Sequence, residues 1–147
     1  MSDVLTKKVK TQPRFALLKQ RDGSSIHLDK KNGIVKITWV GIVDQETARE
    51  MIHTLAYLMK SGMFNKILMS RDDFTRFTDE ANYWMRDFLL SNRYKFNYKI
   101  SRIAGVTPEA FRANIFANFI KTALQVIFPG VKISNFEFEE SAMEWLV

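Results

Sequence analysis

The segment Asn65-Lys-Ile-Leu-Met-Ser-Arg-Asp-Asp-Phe-Thr-Arg-Phe-Thr-Asp-Glu-Ala81 decides the fold of this chain. Its apolar run at positions 67–69 is typical of a strand that is covered on both faces. The charged residues 71–73 end that run and predict a polar loop. Thr78, followed by two acidic residues, predicts the start of a helix, because the hydroxyl accepts a free backbone N–H and the carboxylates favour the positive end of the helix.

Upstream of this segment, the sequence predicts a hairpin and a helix. Residues 25–30 and 34–40 alternate apolar and polar side chains around Asn32-Gly33, a strong hairpin signal. Residues 15–18 either add an edge strand or lie across the core. Asp44 is the expected N-cap of a helix that ends near Gly62. The expected buried positions of this helix are Ala48, Met51, Ile52, Leu55, Leu58 and Met59.

Downstream, helices and short apolar strands alternate. A helix over 79–92 is expected to turn Ala81, Trp84 or Met85, Phe88 and Leu89 inward. Short strands are predicted at 103–106 and 131–133, and an amphipathic helix at 139–146. Between the two strands, Thr107 and Pro108 predict the cap and first turn of a helix over 109–128.

The resulting order, β-β-α-β-α-β-α-β-α, predicts a single α/β domain over residues 14–147. Right-handed crossovers make the later strands parallel, and the opening hairpin supplies an antiparallel edge to a mixed sheet. A chain of 147 residues agrees with one domain. Residues 1–13 are expected to form a basic, flexible arm.

Composition restricts the function classes. The chain contains 46% hydrophobic and 26% charged residues and no cysteine, which excludes disulfides, thiolate metal sites and a cysteine nucleophile. Of the net charge of +6, residues 1–21 contribute +5 and the rest +1. A nearly neutral body does not favour nucleic acid as a partner, whereas the basic arm leaves peripheral membrane contact open beside a plain solvated terminus.

The first residues lack the apolar segment of a secretory signal, and no stretch is long and apolar enough to span a membrane. The expected location is therefore the cytoplasm.

No catalytic or cofactor-binding pattern is present in the sequence. His27 and His53 fall on different predicted elements without a third ligand, and the six glycines form no phosphate-binding loop. No metal, cofactor or enzymatic activity is therefore expected. Acidic and hydroxyl groups follow the predicted strands and meet at one edge of the sheet, where helix capping explains them better than cation binding. These are Asp44, Asp72, Asp73, Thr75, Thr107 and Ser134.

The predicted helix over 109–128 has a wider apolar face than one contact with a sheet requires. Three explanations remain open: a cavity for an apolar ligand, an interface with a second subunit, or contact with the terminal helix. The residues that would line a cavity are Phe111, Ile115, Phe116, Phe119 and Ile120.

Four short stretches in this order resemble the SpoIIAA-like, or STAS-like, family of bacterial proteins over roughly residues 24–147. They are Gly33-Ile-Val-Lys-Ile-Thr-Trp-Val-Gly41, Lys66-Ile-Leu-Met-Ser70 before a helix with Trp84, Arg102-Ile-Ala-Gly-Val106, and Ala142-Met-Glu-Trp-Leu146. The resemblance implies a four- or five-stranded mixed sheet with helices mainly on one side, a fold shared with anti-sigma factor antagonists and with a class of lipid-binding domains.

In the antagonists, the resemblance implies a phosphorylated serine in an Asp-Ser-Ser-Gly-Leu motif at the start of the helix after the central strand. The matching region here carries no Ser-Ser or Gly, and Thr75 and Thr78 are the positional candidates for such a phosphorylated residue. The first hypothesis is a non-enzymatic regulatory module that binds a protein, a second copy of the chain included. The alternative is a carrier or sensor of an apolar small molecule or lipid. The predicted partner surface consists of Asp72, Asp73, Phe74, Thr75, Phe77 and Thr78.

Overall fold

The computed structural model describes residues 15–71, 73–97, 100–106, 125 and 129–147. Strands and helices are numbered here in chain order within these ranges. The strands are β1 (Ala16–Arg21), β2 (Ser24–Asp29), β3 (Ile34–Thr38), β4 (Gly41–Val43), β5 (Lys66–Ser70), β6 (Phe74–Phe77), β7 (Arg102–Val106) and β8 (Lys132–Phe136). The helices are α1 (Gln45–Lys60), α2 (Asp79–Asn97) and α3 (Glu139–Leu146).

The main sheet has the strand order β1-β2-β3-β5-β7-β8. Its first three strands are antiparallel, and β3, β5, β7 and β8 are parallel to one another. The predicted fold class, a mixed sheet with an antiparallel opening and parallel β-α units, is confirmed. The expected count of four or five strands is wrong, because six of the described strands form this sheet.

The additional strand is β1 at the edge of the sheet, one of the two placements left open for this segment. It is joined to β2 by Asp22-Gly23, both in the left-handed region, with φ of 49° and 88°. An Asp-Gly pair favours such a hairpin turn, because the turn needs positive φ at both positions. Ion pairs from Lys19 and Arg21 to Glu50 of α1 at 2.8 and 2.6 Å also fasten β1 to the helix layer.

The predicted hairpin around Asn32-Gly33 is present, formed by β2 and β3, and it positions the central strand β5. Gly33 has φ of 68°, and a Cβ there would meet the carbonyl of Met63 at 3.3 Å. The carbonyl of Gly33 accepts hydrogen bonds from the backbone N–H groups of Asn65 and Lys66. The hairpin turn therefore sets where β5 begins beside β3.

Two apolar clusters cover the two faces of the sheet. On one face, alternate residues of β2, β3 and β5 pack with α1 and α2, and on the other, Ile34, Leu68 and Ala104 pack with α3. The six apolar positions predicted for α1 are all buried, and the predicted inner face of α2 packs on the first cluster. The helix α2 extends five residues beyond its predicted end at Asn92.

Two sequence-based predictions fall on residues outside those described: the basic arm over 1–13, and the helix over 109–128 except for residue 125, with its apolar positions Phe111, Ile115, Phe116, Phe119 and Ile120. The domain bounds 14–147 and the apolar cavity therefore stay predictions.

The start of α1 shows the predicted cap. Asp44 is extended, and its carboxylate accepts the backbone N–H of Thr47 at 2.8 Å. This backbone hydrogen bond first, and the hydroxyl of Thr47 second, lower the pKa of Asp44 below its usual value. A lowered folded-state pKa means that the ionised cap stabilises the protein above the usual carboxyl pKa, and that this contribution disappears as the pH falls through the lowered value.

Replacing Asp44 by alanine is expected to reduce the free energy of unfolding by about 1 kcal/mol at pH 7, because the N–H of Thr47 loses its acceptor. Asp44→Asn retains a side-chain oxygen without an ionisable group, so its stability should fall less steeply than that of the wild type on acidification. Urea unfolding at several pH values measures both effects. The exposed Asp73→Ala serves as control, and an Asp44→Ala protein as stable as this control at pH 7 would contradict the cap.

Candidate functional site

The strand β4, which follows β3 in the chain, and the strand β6, which precedes α2, pair as a two-stranded parallel sheet. The sequence predicts a polar loop here, and that prediction is wrong for residues 74–77. The N–H of Gly41 bonds the carbonyl of Asp73 at 2.8 Å, and the N–H of Thr78 bonds the carbonyl of Val43 at 2.9 Å. These bonds close both ends of the small sheet, which is why so short a segment forms a strand.

Two phenylalanines fix β6 on the core. Phe74 and Phe77 are each only 8% exposed, and their ring centroids are 4.8 Å apart. The ring of Phe77 also meets Trp39 edge to face at 5.1 Å, and Trp39 is 1% exposed. Phe74 and Phe77 belong to the predicted partner surface, but in this structure both side chains face the core. A partner would meet the residues around them.

The outward side of the small sheet combines apolar and charged groups. Thr75 and Arg76 are exposed between the two phenylalanines, and Asp73 is exposed just before them. Ile42 of β4, opposite Arg76 in the register, is 57% exposed. We call Ile42, Asp73, Thr75 and Arg76 the β4–β6 surface. The predicted member Asp72 lies outside the described residues.

The two threonines at the predicted switch positions differ in environment. The hydroxyl of Thr78 accepts the backbone N–H of Ala81 at 3.2 Å and so caps α2 as predicted. Thr78 is half-buried, whereas Thr75 is exposed on β6. Of the two hydroxyls, that of Thr75 is the more accessible from solvent.

Sequence reasoning missed Ile42, Arg71 and Arg76. The pair Ile42 and Arg76 becomes visible only through the β4–β6 register, because the three residues of β4 are too few for a periodic pattern. Arg71 was interpreted as part of a charged loop, but it is only 9% exposed. Its Nη2 lies 3.1 Å from the sulfur of Met69, and burial lowers the pKa of the guanidinium.

The other predicted polar groups do not assemble into a site. The prediction that Ser134 lies at a strand end is wrong. Ser134 pairs with Ala104 in the middle of β8. The strand continues because Phe136 packs on Trp145 of α3, with centroids 5.6 Å apart. In the part of the chain that the structure describes, no three histidine, aspartate or glutamate side chains come together as metal ligands would. Thr107 lies outside that part.

The two histidines have separate surroundings. His27 is half-buried on β2, and burial first, then the charge of Lys36, lowers its pKa. His53 is exposed on α1, with its ring 5.4 Å from Trp84 and 5.0 Å from Phe88. Both positions agree with structural roles.

Replacing Phe77 by alanine should reduce the free energy of unfolding by about 3–5 kcal/mol, because a buried ring in contact with Trp39 and Phe74 is removed. Phe77→Leu retains most of the apolar volume and should cost much less. Chemical denaturation measures the difference. If Phe77→Ala were as stable as the wild type, the inward placement of β6 would be wrong.

The threonine pair provides a second test of the local geometry. Thr78→Ala should cost about 1 kcal/mol of stability through loss of the α2 cap, while Thr75→Ala should stay within about 0.5 kcal/mol of the wild type. Thermal and urea unfolding of the two variants, which remove the same atoms three residues apart, separate the roles. Equal losses at both positions would argue against the cap.

Comparison with known proteins places this geometry in a family. No curated protein sequence matches the chain. Among solved structures, an uncharacterised protein with a SpoIIAA-like fold from Shewanella loihica superimposes with a TM-score of 0.55 at 14% identity, covering 90% of this chain and 92% of that one. The anti-sigma factor antagonist SpoIIAA in its unphosphorylated form superimposes with a TM-score of 0.56 at 11% identity, covering 90% and 96%.

Because the two sequence identities are low, these superpositions show that the fold is shared and nothing more. The family model described as SpoIIAA-like matches residues 34–147, which contain every described element from β3 to α3. The resemblance found in the sequence is thereby confirmed, and the chain belongs to the SpoIIAA-like family.

Proposed function

We propose that this chain is a non-enzymatic regulatory module that binds a protein partner through the β4–β6 surface. The coarse part of this proposal has support in the regulatory fold that the chain shares with an anti-sigma factor antagonist. The finer part, the choice of surface, depends on the geometry of β6.

The observation that carries the proposal is the rigid display of Thr75 and Arg76. Buried rings at both ends of β6 and backbone pairing with β4 fix the strand, so its two outward residues have little freedom to lose on binding. Preorganisation of this kind reduces the entropic cost of association. A surface formed by a flexible loop would instead lose conformational entropy each time it bound a partner.

The side chains of this surface suit an interface. Arginine is enriched at protein–protein interfaces, and among the described residues Arg76 forms no ion pair within 4.0 Å. Ile42 lies opposite it and places apolar area in the same patch. A single exposed isoleucine is ordinary on a protein surface, but one beside a guanidinium that has no ion pair among the described residues offers a partner both an apolar and a charged contact.

The remaining described elements give less support for other modes of action. None of the described helices is long and apolar enough to cross a membrane. The alternative function, transport or sensing of an apolar ligand beneath the helix over 109–128, concerns residues outside those described and stays a prediction.

Site-specific photocrosslinking tests the proposed surface. A photoreactive amino acid at Thr75 should give a crosslink to one defined partner in cells that express the chain, whereas the same probe at Tyr57 should not. Tyr57 on α1 is 76% exposed, so it matches Thr75 in accessibility but lies on another element.

The double variant Ile42→Asp, Arg76→Glu should reduce the Thr75 crosslink roughly tenfold, since removing interface contacts worth about 1.4 kcal/mol changes affinity by that factor. Tyr57→Asp should leave it unchanged. Equal crosslinking from both probe positions, or an undiminished crosslink in the double variant, would contradict the proposal. A crosslink to a second copy of the chain would identify the partner as the chain itself.

A further inference from the structure

Arg71 has an unusual environment for an ionised side chain. In the described part of the chain, Asp29 and Arg71 are the charged residues that are less than 10% exposed. Asp29 receives two hydrogen bonds from Asn32, one from the backbone and one from the side-chain amide. Among the described residues, the side chain of Arg71 donates to the sulfur of Met69, and its Nε has no hydrogen-bond partner there.

Within the part of the chain that the structure describes, this arrangement leaves a positive charge without a counter-charge. A guanidinium stays protonated in proteins, and burying a charge is unfavourable unless it is paired and hydrogen-bonded. No carboxylate of the described residues lies within 4.0 Å of Arg71, and the sulfur of a thioether is a weak acceptor. The structure therefore places a strong, unsatisfied donor where an anion would offset the cost of burial.

The location agrees with a binding role. Arg71 directly follows β5, which lies between β3 and β7 in the parallel part of the sheet. The carboxyl ends of β3, β5 and β7 lie at the same edge of the sheet because these strands are parallel, and Arg71 lies at that edge. The backbone is fixed at this point, because the carbonyl of Ser70 accepts the N–H of Trp39 and that of Arg71 accepts the N–H of Phe74.

We propose that Arg71 is the binding residue for the anionic group of a small molecule, a carboxylate or a phosphate. Such groups present two oxygens to the parallel N–H donors of one guanidinium, here Nε and a terminal nitrogen. The site goes beyond the proposed protein contact, since Arg71 is buried and Ile42, Thr75 and Arg76 are exposed.

The two sources of the anionic group are distinguished by the probes. Inorganic phosphate, acetate and octanoate are titrated into the full chain at constant ionic strength, with chloride as the reference, and the melting temperature is followed. At a hundred times the dissociation constant, a bound anion should raise the melting temperature by roughly 5–10 °C. A response to phosphate alone indicates a phosphate ligand, and a response to octanoate above that to acetate indicates a carboxylate with an apolar body.

The variants Arg71→Met and Arg49→Met form a matched pair. Arg71→Met removes the buried charge, so it should melt at a higher temperature than the wild type in chloride and should no longer respond to the anion. Arg49→Met removes an exposed guanidinium on α1, outside the β4–β6 surface, and should respond as the wild type does. Absence of any anion-specific response in the wild type, or an undiminished response in Arg71→Met, would overturn the proposal.

Arg71→Lys keeps the test decisive if Arg71→Met fails to fold. Lysine retains the charge but lacks the planar pair of donors, so the dissociation constant of the responding anion should rise about tenfold by calorimetric titration. Unchanged affinity in Arg71→Lys would count against the paired-donor site.

Discussion

The burial of β5 on both faces is the constraint on which the rest of the structure depends. Ile67 faces the layer of α1 and α2, and Leu68, its neighbour in sequence, faces α3. Because side chains alternate along a strand, a strand with no polar face needs a helix layer on each side of the sheet. The chain provides α1 before β5 and α3 at its end, and the hairpin turn at Gly33 fixes the start of the strand through two backbone hydrogen bonds.

The candidate site follows from what happens where this strand ends. The chain turns after Arg71 and immediately returns an aromatic ring to the core at Phe74 and again at Phe77. The two rings leave only two outward positions between them, and pairing with β4 brings Ile42 beside those positions. The exposed surface is thus a consequence of core packing, which gives it a defined shape without a ligand.

Much of the fold could be predicted because its elements carry long periodic patterns. The inner faces of α1 and α2 and the hairpin around Asn32-Gly33 follow from sequence alone. The pair Asp22-Gly23 is an equally clear hairpin signal, and it indicates the sixth strand, β1.

The small sheet and the buried arginine were beyond sequence reasoning for different reasons. The two inward phenylalanines are three residues apart, which does not match the two-residue period of a strand. The irregular pairing of β6 with β4 accounts for this spacing, and that pairing cannot be read from the sequence. The charged residues 71–73 predict a polar loop, because charged residues are seldom buried without a partner, yet Arg71 is buried. Residues that break such rules of folding concentrate at functional sites, which makes the buried Arg71 a candidate for function.

The buried arginine and the exposed surface share one piece of backbone. The carbonyl of Arg71 accepts the N–H of Phe74 at 3.3 Å, so the residue that we assign to an anion also forms the turn that begins β6. A ligand that shifted Arg71 would act first on the ring of Phe74 and then on the outward residues after it. Such a link becomes regulatory only if the anion binds the partner-bound and free forms with different affinity, because a ligand shifts an equilibrium by its differential affinity alone. The short path from Arg71 to Phe74 makes this turn the part of the fold in which that difference would arise.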